Sequence, residues 1–174
     1  MVTSIQVGSR PGPCRWTGRG GHGAVASVRT VPHDMTADER RAFLLAPGRT
    51  GHLATVREDG RAHVAPIWFT LDGDDVLFNT GAETVKGRNL RRTGRAALSV
   101  DLPVHPYAFV HLEGPVHIED DPDSFREWTR IISARYVPHD EVEAYVERNA
   151  VPGELLVRLR PETVVAVGDL AGWD

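Results

Sequence analysis

The residues best suited to chemistry lie in the segment ETVKGRNLRRTGR, residues 83–95. Between Thr84 and Arg95 this segment holds five cations and no acid, although the chain as a whole carries a formal net charge of -4. Lys86 is the only lysine in the chain. A helix capped by Thr84 would place Lys86 in its first turn, where the helix dipole disfavours a cation unless an anion is bound beside it. The segment therefore predicts a phosphate-type anion site at the start of a short helix.

Two other interpretations of this basic segment are open from the residues alone. A short basic helix is often no more than a solvated face. A cluster of arginines can also bind nucleic acid, but such proteins are usually basic overall and carry aromatic residues among the cations. This chain is acidic and residues 83–95 contain no aromatic residue, so we expect no nucleic-acid partner.

Length and composition indicate one globular domain. The chain has 174 residues, of which 41% are hydrophobic and 25% charged. Cys14 is the single cysteine, so an internal disulfide is excluded and a cytoplasmic location is expected. No apolar run approaches the roughly 18 residues that cross a bilayer, and we expect no membrane partner. His111 and His117 would lie about 20 Å apart along a strand, too far to share a metal ion, so no metal site is predicted.

The elements that must position residues 83–95 are mostly strands. Residues 1–34 are rich in Gly, Pro and Arg and are predicted to be a flexible extension, followed by a folded domain over residues 35–174. Thr36 and Glu39 form a capping-box pattern that begins a helix. Hydrophobic patterning then predicts strands over residues 50–57, 62–71, 76–81, 95–101, 107–120, 154–161 and 163–169, and helices over 84–93, from Pro122 onward and around Val142–Val146.

The strand predicted over residues 62–71 decides the fold class. Both of its faces are apolar, which is typical of a strand in a small closed barrel with something packed outside. Pro66 has no N–H, so it is expected at a sheet edge or a bulge, and Gly114-Pro115 is expected to mark a bulge or a bend in a later strand. The sequence thus predicts a mainly β fold with short helices.

Two stretches, LATVREDGRAHVAPIWF and TVKGRNLRRTGRAALSVD, resemble the pyridoxamine 5'-phosphate oxidase-like (PPOX-class) superfamily, and more narrowly its flavin/deazaflavin oxidoreductases of class B. The resemblance extends over about residues 36–170. It implies a split β-barrel, a homodimer, and a flavin-like cofactor in the groove between the subunits. In that branch the cofactor is coenzyme F420, an 8-hydroxy-5-deazaflavin with a phospholactyl and polyglutamate tail, which exchanges hydride with a small organic substrate.

The resemblance also implies which positions would hold the cofactor. The phosphate would lie over the helix start, the ring against the second strand, and the anionic tail near Arg88, with Arg57 and Arg61 as further contacts. His63 departs from the polar amide that the family pattern leads us to expect. The implied cofactor-binding residues are His63, Val64, Ala65, Pro66, Asn79, Thr80, Thr84, Val85, Lys86, Arg88 and Asn89.

Other cofactors and roles remain open beside F420. FMN also carries a phosphate, but FMN-binding members usually have further basic residues on the strand after the helix, where this chain reads AALSV and offers only Ser99. Haem is a third possibility, and some split-barrel proteins bind a cofactor without turnover. No hydrolase motif such as Gly-x-Ser-x-Gly is present. No catalytic residue is assigned, because the substrate proton could come from solvent, His63 or Tyr107.

Overall fold

A computed structural model of the chain describes residues 32–119 and 121–171. The predicted extension over residues 1–31, with Cys14, lies outside the described residues. Residues 33 and 34, which we had assigned to that extension, form a short strand paired with the last strand of the sheet. Across the part of the chain that the structure describes, no helix is long and apolar enough to span a bilayer.

The described residues form nine strands and four α-helices. The strands are β1 (His33–Asp34), β2 (Gly51–Val56), β3 (Ala62–Ile67), β4 (Thr70–Asp72), β5 (Asp75–Gly81), β6 (Arg95–Leu102), β7 (Ala108–Glu119), β8 (Glu154–Leu159) and β9 (Thr163–Gly168). The helices are α1 (Ala37–Leu45), α2 (Val85–Thr93), α3 (Pro122–Ser133) and α4 (Val142–Asn149), with a 3-10 turn at His139–Glu141 before α4. The predicted mainly β fold with short helices is confirmed.

All nine strands belong to one antiparallel sheet that curls into a half-barrel. Its order is β3-β2-β6-β7-β8-β5-β4, and β9 pairs with β7 beside β1. The long strand β7 makes the curl possible, because residues 109–113 pair with β9 while residues 116–119 pair with β8 along the same strand. The enclosed core is apolar, and its largest fully buried side chains include Phe69, Phe78, Leu53 and Leu98.

The prediction of one strand over residues 62–71 was wrong. The strand breaks between Ile67 and Thr70 because the backbone of Phe69 bonds to side chains: its N–H donates to the Tyr136 hydroxyl at 3.1 Å and its carbonyl accepts from the Arg135 guanidinium. Within the single chain the outward face of this strand is not covered, since Val64 is 59% exposed. The edge position of Pro66 is confirmed, because β3 pairs only with β2.

Of the bulge or bend expected at Gly114-Pro115, the bulge is absent, but the two residues lie where β7 passes from pairing with β9 to pairing with β8 as the sheet curls. Both residues continue the regular pairing of β7 with β6, opposite Ala96 and Arg95 respectively. Gly114 is required for another reason, since a Cβ there would lie 1.9 Å from the carbonyl oxygen of Arg160. The glycine therefore allows the close approach of the chain after β8, where the pairing along one edge of β7 passes from β9 to β8.

Helix α2 begins and ends where its sequence predicts. The Thr84 hydroxyl accepts from the Gly87 N–H at 3.0 Å, and Gly94 ends the helix in the left-handed conformation at φ 62. A Cβ on Gly87 would lie 2.3 Å from the Gly81 carbonyl oxygen, so only glycine lets the first turn pack on the end of β5. This packing fixes the start of α2 against the sheet.

Helices α3 and α4 form a pair on the outside of the half-barrel. Ile132 of α3 packs against Leu77 of β5 and Leu156 of β8 in a second, smaller apolar cluster. The Asp121 carboxylate caps α3 by accepting from the Ser124 N–H at 2.9 Å, with Pro122 in the first turn. The helix predicted from Pro122 is confirmed, and the pair covers one end of β5 and β8.

Arg158 joins three elements through a network of charges. Its guanidinium donates to Glu119 at 2.8 Å, to Asp72 at 2.7 Å and to Asp75 at 3.3 Å, and the Arg158 side chain is only 15% exposed. Burial alone would lower the pKa of Arg158, but its bonds to the three carboxylates outweigh that effect and raise it. Arg158 thereby ties the β4–β5 turn and the end of β7 to β8.

Replacing Arg158 with methionine should lower the free energy of unfolding by about 2–3 kcal/mol, because three carboxylates would lose their shared donor in a partly buried position. The matched control is Arg160→Met: Arg160 also contacts Asp75, at 3.6 Å, but is 67% exposed, so its loss should cost less than about 1 kcal/mol. Urea denaturation followed by circular dichroism measures both. Equal losses in the two variants would contradict the assignment.

Candidate functional site

Helix α2 distributes the cations of residues 83–95 over different sides of the molecule. Lys86 lines a cavity of about 480 Å³ that we call the lysine cavity. Arg88 and Arg92 line a separate cavity of about 600 Å³, the arginine cavity. Arg91 and Arg95 point elsewhere and contact the carboxylates of Glu83 at 3.9 Å and Glu162 at 2.7 Å, respectively. The basic segment therefore contributes to two separate cationic surfaces rather than to one patch.

The lysine cavity lies between the edge of the sheet and the α3–α4 pair. On the sheet side it takes in the end of β3, the middle of β5 and the first turn of α2. On the other side it is walled by polar and aromatic residues of α3 and α4. Its lining residues are Thr50, Pro66, Ile67, Trp68, Asn79, Lys86, Thr129, Ile132, Ser133, Tyr145, Arg148, Asn149 and Glu154.

Lys86 is a cation without a direct ion pair. Within the described residues no carboxylate lies within 4 Å of its ammonium group, and no side chain or carbonyl accepts a hydrogen bond from it. The carboxylate of Glu154, the first residue of β8, is close enough to feel the charge of Lys86. Burial raises the pKa of Glu154, and the charge of Lys86 partly offsets that rise. The half-buried Lys86 is thus left to attract an external anion.

The backbone at the start of α2 adds hydrogen-bond donors to this charge. The amides of Val85 and Lys86 lie in the first turn and have no carbonyl four residues earlier within the helix. The Thr84 hydroxyl is already used, because it accepts from Gly87 and donates to the Gly81 carbonyl at 2.7 Å. Thr80 is buried and contacts that same hydroxyl at 3.1 Å. The two threonines therefore build the helix start, and the amides of Val85 and Lys86 keep no acceptor within the helix.

Two buried polar atoms lack a partner among the described residues. One is Oδ1 of Asn79, whose Nδ2 donates to the Thr129 hydroxyl at 2.7 Å. The Thr129 hydroxyl in turn donates to the Phe125 carbonyl, so Thr129 accepts from Asn79 and fixes the orientation of the amide. The other atom is Nδ1 of His63. An unpaired buried acceptor is costly, and Asn79 lines the lysine cavity, where a ligand N–H or O–H could complete it.

The arginine cavity lies between α2 and the β2–β3 hairpin. Its α2 wall is one helical face, spaced i, i+3, i+4 and i+7, and its other wall is the hairpin turn with both basic and acidic residues. The Asn89 amide is buried and donates to the Thr55 hydroxyl at 3.0 Å, so it holds α2 on β2. The lining residues are Arg57, Glu58, Asp59, Arg61, Val85, Arg88, Asn89 and Arg92.

The eleven predicted cofactor residues are thus divided among several places. Pro66, Asn79 and Lys86 meet in the lysine cavity. Val85, Arg88 and Asn89 meet in the arginine cavity. Thr80 and Thr84 support the helix start between them. On β3, alternation leaves His63 and Ala65 half-buried while Val64 is exposed.

Sequence reasoning missed the wall supplied by α3 and α4. Thr129 and Ser133 are 2% and 3% exposed and stand four residues apart, so they share a face of α3. Two small polar residues at that spacing on a buried helix face are a signal that could have been used. Tyr145 and Arg148 of α4 carried no comparable signal, because their place depends on how α4 packs. Within the described residues, no three His, Cys, Asp or Glu side chains could hold one metal ion.

Solved structures share this architecture. The conserved hypothetical protein Rv2991 of Mycobacterium tuberculosis is 24% identical over 76% of this chain and 84% of its own, with a TM-score of 0.67. The haem storage protein HutZ of Vibrio cholerae is 16% identical over 79% of this chain and 98% of its own, with a TM-score of 0.63. A structure described as an F420 reductase is 28% identical over 71% of this chain and 94% of its own, with a TM-score of 0.54.

No curated protein matches the chain. The family described as pyridoxamine 5'-phosphate oxidase matches residues 36–168, which takes in every element from α1 to β9. The curled sheet, the capped helix α2 and this match agree with one another. The chain belongs to the pyridoxamine 5'-phosphate oxidase family.

Proposed function

We propose that this protein is an oxidoreductase that binds coenzyme F420 and uses it for hydride transfer to a small organic substrate. The observation that carries the proposal is Lys86, an unpaired cation at a helix start that faces a cavity of about 480 Å³. A ligand phosphate there would meet both the ammonium group and the amides of the first turn. The family includes oxidoreductases, and the 28% identical F420 reductase supports the choice of cofactor.

The described residues fit the parts of this cofactor. Lys86 and the α2 amides would hold the phosphate, and the unpaired Asn79 Oδ1 would accept from a ring N–H. Arg57, Arg61 and Arg88 of the arginine cavity would meet the carboxylates of the tail through charge-assisted contacts. The bound, reduced deazaflavin would supply a hydride to the substrate, and the ring proton that it would lose balances the proton that the substrate would take from solvent.

The protein's part in this reaction is positioning and exclusion of water. The α3–α4 pair closes one side of the lysine cavity, and Thr129 holds the Asn79 amide at a fixed angle. Neither role requires a nucleophile or a strong base. FMN is the alternative cofactor, since its phosphate could use the same helix start, and a cofactor-binding protein without turnover is the alternative role.

We also propose that the protein is a homodimer. The outward face of β2, β3, β6, β7 and β9 is covered by no other described element. Val56, Val64 and Val165 lie on this face and are 49%, 59% and 44% exposed, respectively, with Phe109 beside them. Several exposed branched apolar side chains on an uncovered sheet face are typical of a protein–protein interface, so a second copy is the occupant we assign to it.

Replacing Lys86 with alanine should weaken F420 binding at least tenfold, because a charge-assisted contact of about 1.5–3 kcal/mol is lost. Quenching of F420 fluorescence during titration with protein measures the affinity. Arg91→Ala is the matched control: it removes one positive charge from the same helix, but Arg91 faces away from both anion-facing cavities. Its effect should stay below about threefold.

Titration with FMN under the same conditions decides between the cofactors. Tight binding of F420 together with weak binding of FMN supports the proposal. Binding of FMN without F420 would overturn the choice of cofactor. Binding of neither, or equal losses in the Lys86 and Arg91 variants, would overturn the assignment of the phosphate to the start of α2.

Replacing Glu154 with glutamine should tighten F420 binding about fivefold at neutral pH. The ionised Glu154 opposes a nearby phosphate by roughly 1 kcal/mol at intermediate dielectric, and the amide does not. Because burial raises the pKa of Glu154 above its ordinary value, the wild-type carboxyl is neutralised more readily than an exposed glutamate as the pH falls from 7. The ratio of the two dissociation constants should then approach one. A ratio that does not change with pH would contradict this electrostatic role.

Replacing Val165 with glutamate should convert the dimer to a monomer, because it buries a charge within the proposed interface. Light scattering after size-exclusion chromatography measures the mass. The matched control is Val164→Glu, since Val164 is 40% exposed, close to the 44% of Val165, but points to the opposite face of β9. A wild-type protein that is already monomeric would overturn the dimer.

A further inference from the structure

We propose that the α3–α4 wall of the lysine cavity binds a planar, conjugated substrate that carries a carboxylate. Trp68 and Tyr145 would contact the ring and Arg148 would pair with the carboxylate. The inference rests on the proposed function, because this molecule would be the one that receives the hydride. It goes further by assigning the substrate class and the residues that select it.

The arginines of the two helices show that Arg148 differs from its neighbours. Arg126 and Arg130 of α3 are each paired with a carboxylate of α4, Glu147 and Glu143, respectively. These pairs join the helices on the side away from the cavity. Arg148 lies on the cavity side, and within the described residues no carboxylate lies within 4 Å of it. Its guanidinium stacks instead on the Tyr145 ring, 5.2 Å from the centroid.

The aromatic surface beside Arg148 is built from rings that pack on one another. Trp68 stacks on Tyr136 with ring centroids 4.9 Å apart and an angle of 4° between the planes, and Tyr145 lies 5.7 Å from Trp68. Tyr136 is fixed by its hydroxyl, which donates to the Arg49 carbonyl at 2.7 Å. Trp68 is 37% exposed although its neighbours Ile67 and Phe69 are buried. A stacked but exposed indole offers a flat face for a planar ligand.

The remaining lining residues fit a small molecule of this class. The cavity volume of about 480 Å³ lies in the range of small-molecule sites. A guanidinium prefers a carboxylate because both groups are planar and can form two parallel hydrogen bonds. Lys86 lies toward the sheet side of the same cavity, so the phosphate of the cofactor and the carboxylate of the substrate would use different cations. The two anions therefore need not compete.

The test is calorimetric titration of the full chain, without cofactor, with benzoate, cinnamate and 2-naphthoate and with their neutral amides. We expect the carboxylates to bind more tightly than the amides. Arg148→Gln should weaken carboxylate binding at least fivefold and leave amide binding within twofold. Arg126→Gln is the matched control, because it removes one charge from the partner helix on the far side, and it should leave both affinities unchanged. Trp68→Leu should weaken carboxylates and amides alike.

The outcomes separate this inference from the proposed function. If Arg148→Gln weakens carboxylates and amides equally, or if no carboxylate binds, the inference is overturned, whereas F420 binding by the same protein would keep the proposed function. If the carboxylates bind as expected but F420 does not, the site stands and the cofactor is overturned. Arg148→Gln should retain F420 affinity, since Lys86 is intact, and a loss of F420 affinity equal to that of Lys86→Ala would also contradict the assignment.

Discussion

The site depends on one uncompensated charge at a fixed place. Lys86 stands in the first turn of α2, where the helix dipole repels it, and no carboxylate among the described residues lies within 4 Å. The chain nevertheless fixes that turn firmly. The Thr84 cap holds the helix start, and Gly87 packs so closely on the Gly81 carbonyl that no side chain fits. Local stability is thus lower than an acidic first turn would give, and a bound anion would recover the difference.

The same turn also orders the rest of the molecule around the lysine cavity. Residue Asn79 of β5 reaches the cavity because β5 ends in the turn that leads into α2. The α3–α4 pair packs on β5 and β8 through the cluster of Leu77, Ile132 and Leu156, which sets the opposite wall. Thr129 connects the two walls through its bond to Asn79 at 2.7 Å. The packing of α3 on the sheet and the orientation of the Asn79 amide are therefore coupled, because Thr129 takes part in both.

Local signals in the sequence predicted most elements of the fold. The capping box at Thr36, the cap at Thr84 and the proline at Pro122 each predicted the start of a helix, and the structure confirms all three starts. The break at Phe69 could not be predicted, because its cause is long-range: Tyr136 and Arg135 lie 67 and 66 residues further along the chain. A side chain that replaces a strand partner leaves no mark in the strand's own pattern of hydrophobicity.

The candidate site followed the same division between local and long-range information. Lys86 and the start of α2 were predictable from the types and spacing of residues 83–95. The separation of Lys86 from Arg88 was predictable as well, since residues two apart lie on nearly opposite faces of a helix. The surface that Lys86 or Arg88 faces could not be predicted, because the lysine cavity is completed by α4, which is distant in sequence. That Arg148 has no ion pair among the described residues becomes clear only when Glu143 and Glu147 are seen to pair with arginines of α3.

The cations on the two faces of α2 favour one kind of anionic ligand over another. A phosphate monoester is satisfied by Lys86 and the first-turn amides and gains nothing from the arginines across the helix. A ligand whose phosphate continues into a chain of carboxylates can reach both sides of α2, and each further contact adds affinity that depends on salt. The arginine cavity holds four arginines against the carboxylates of Glu58 and Asp59, a formal net charge of about +2, so it would attract the carboxylates of such a chain. Selection for an extended polyanion over a simple phosphate would then come from having two separated cationic surfaces rather than one strong patch.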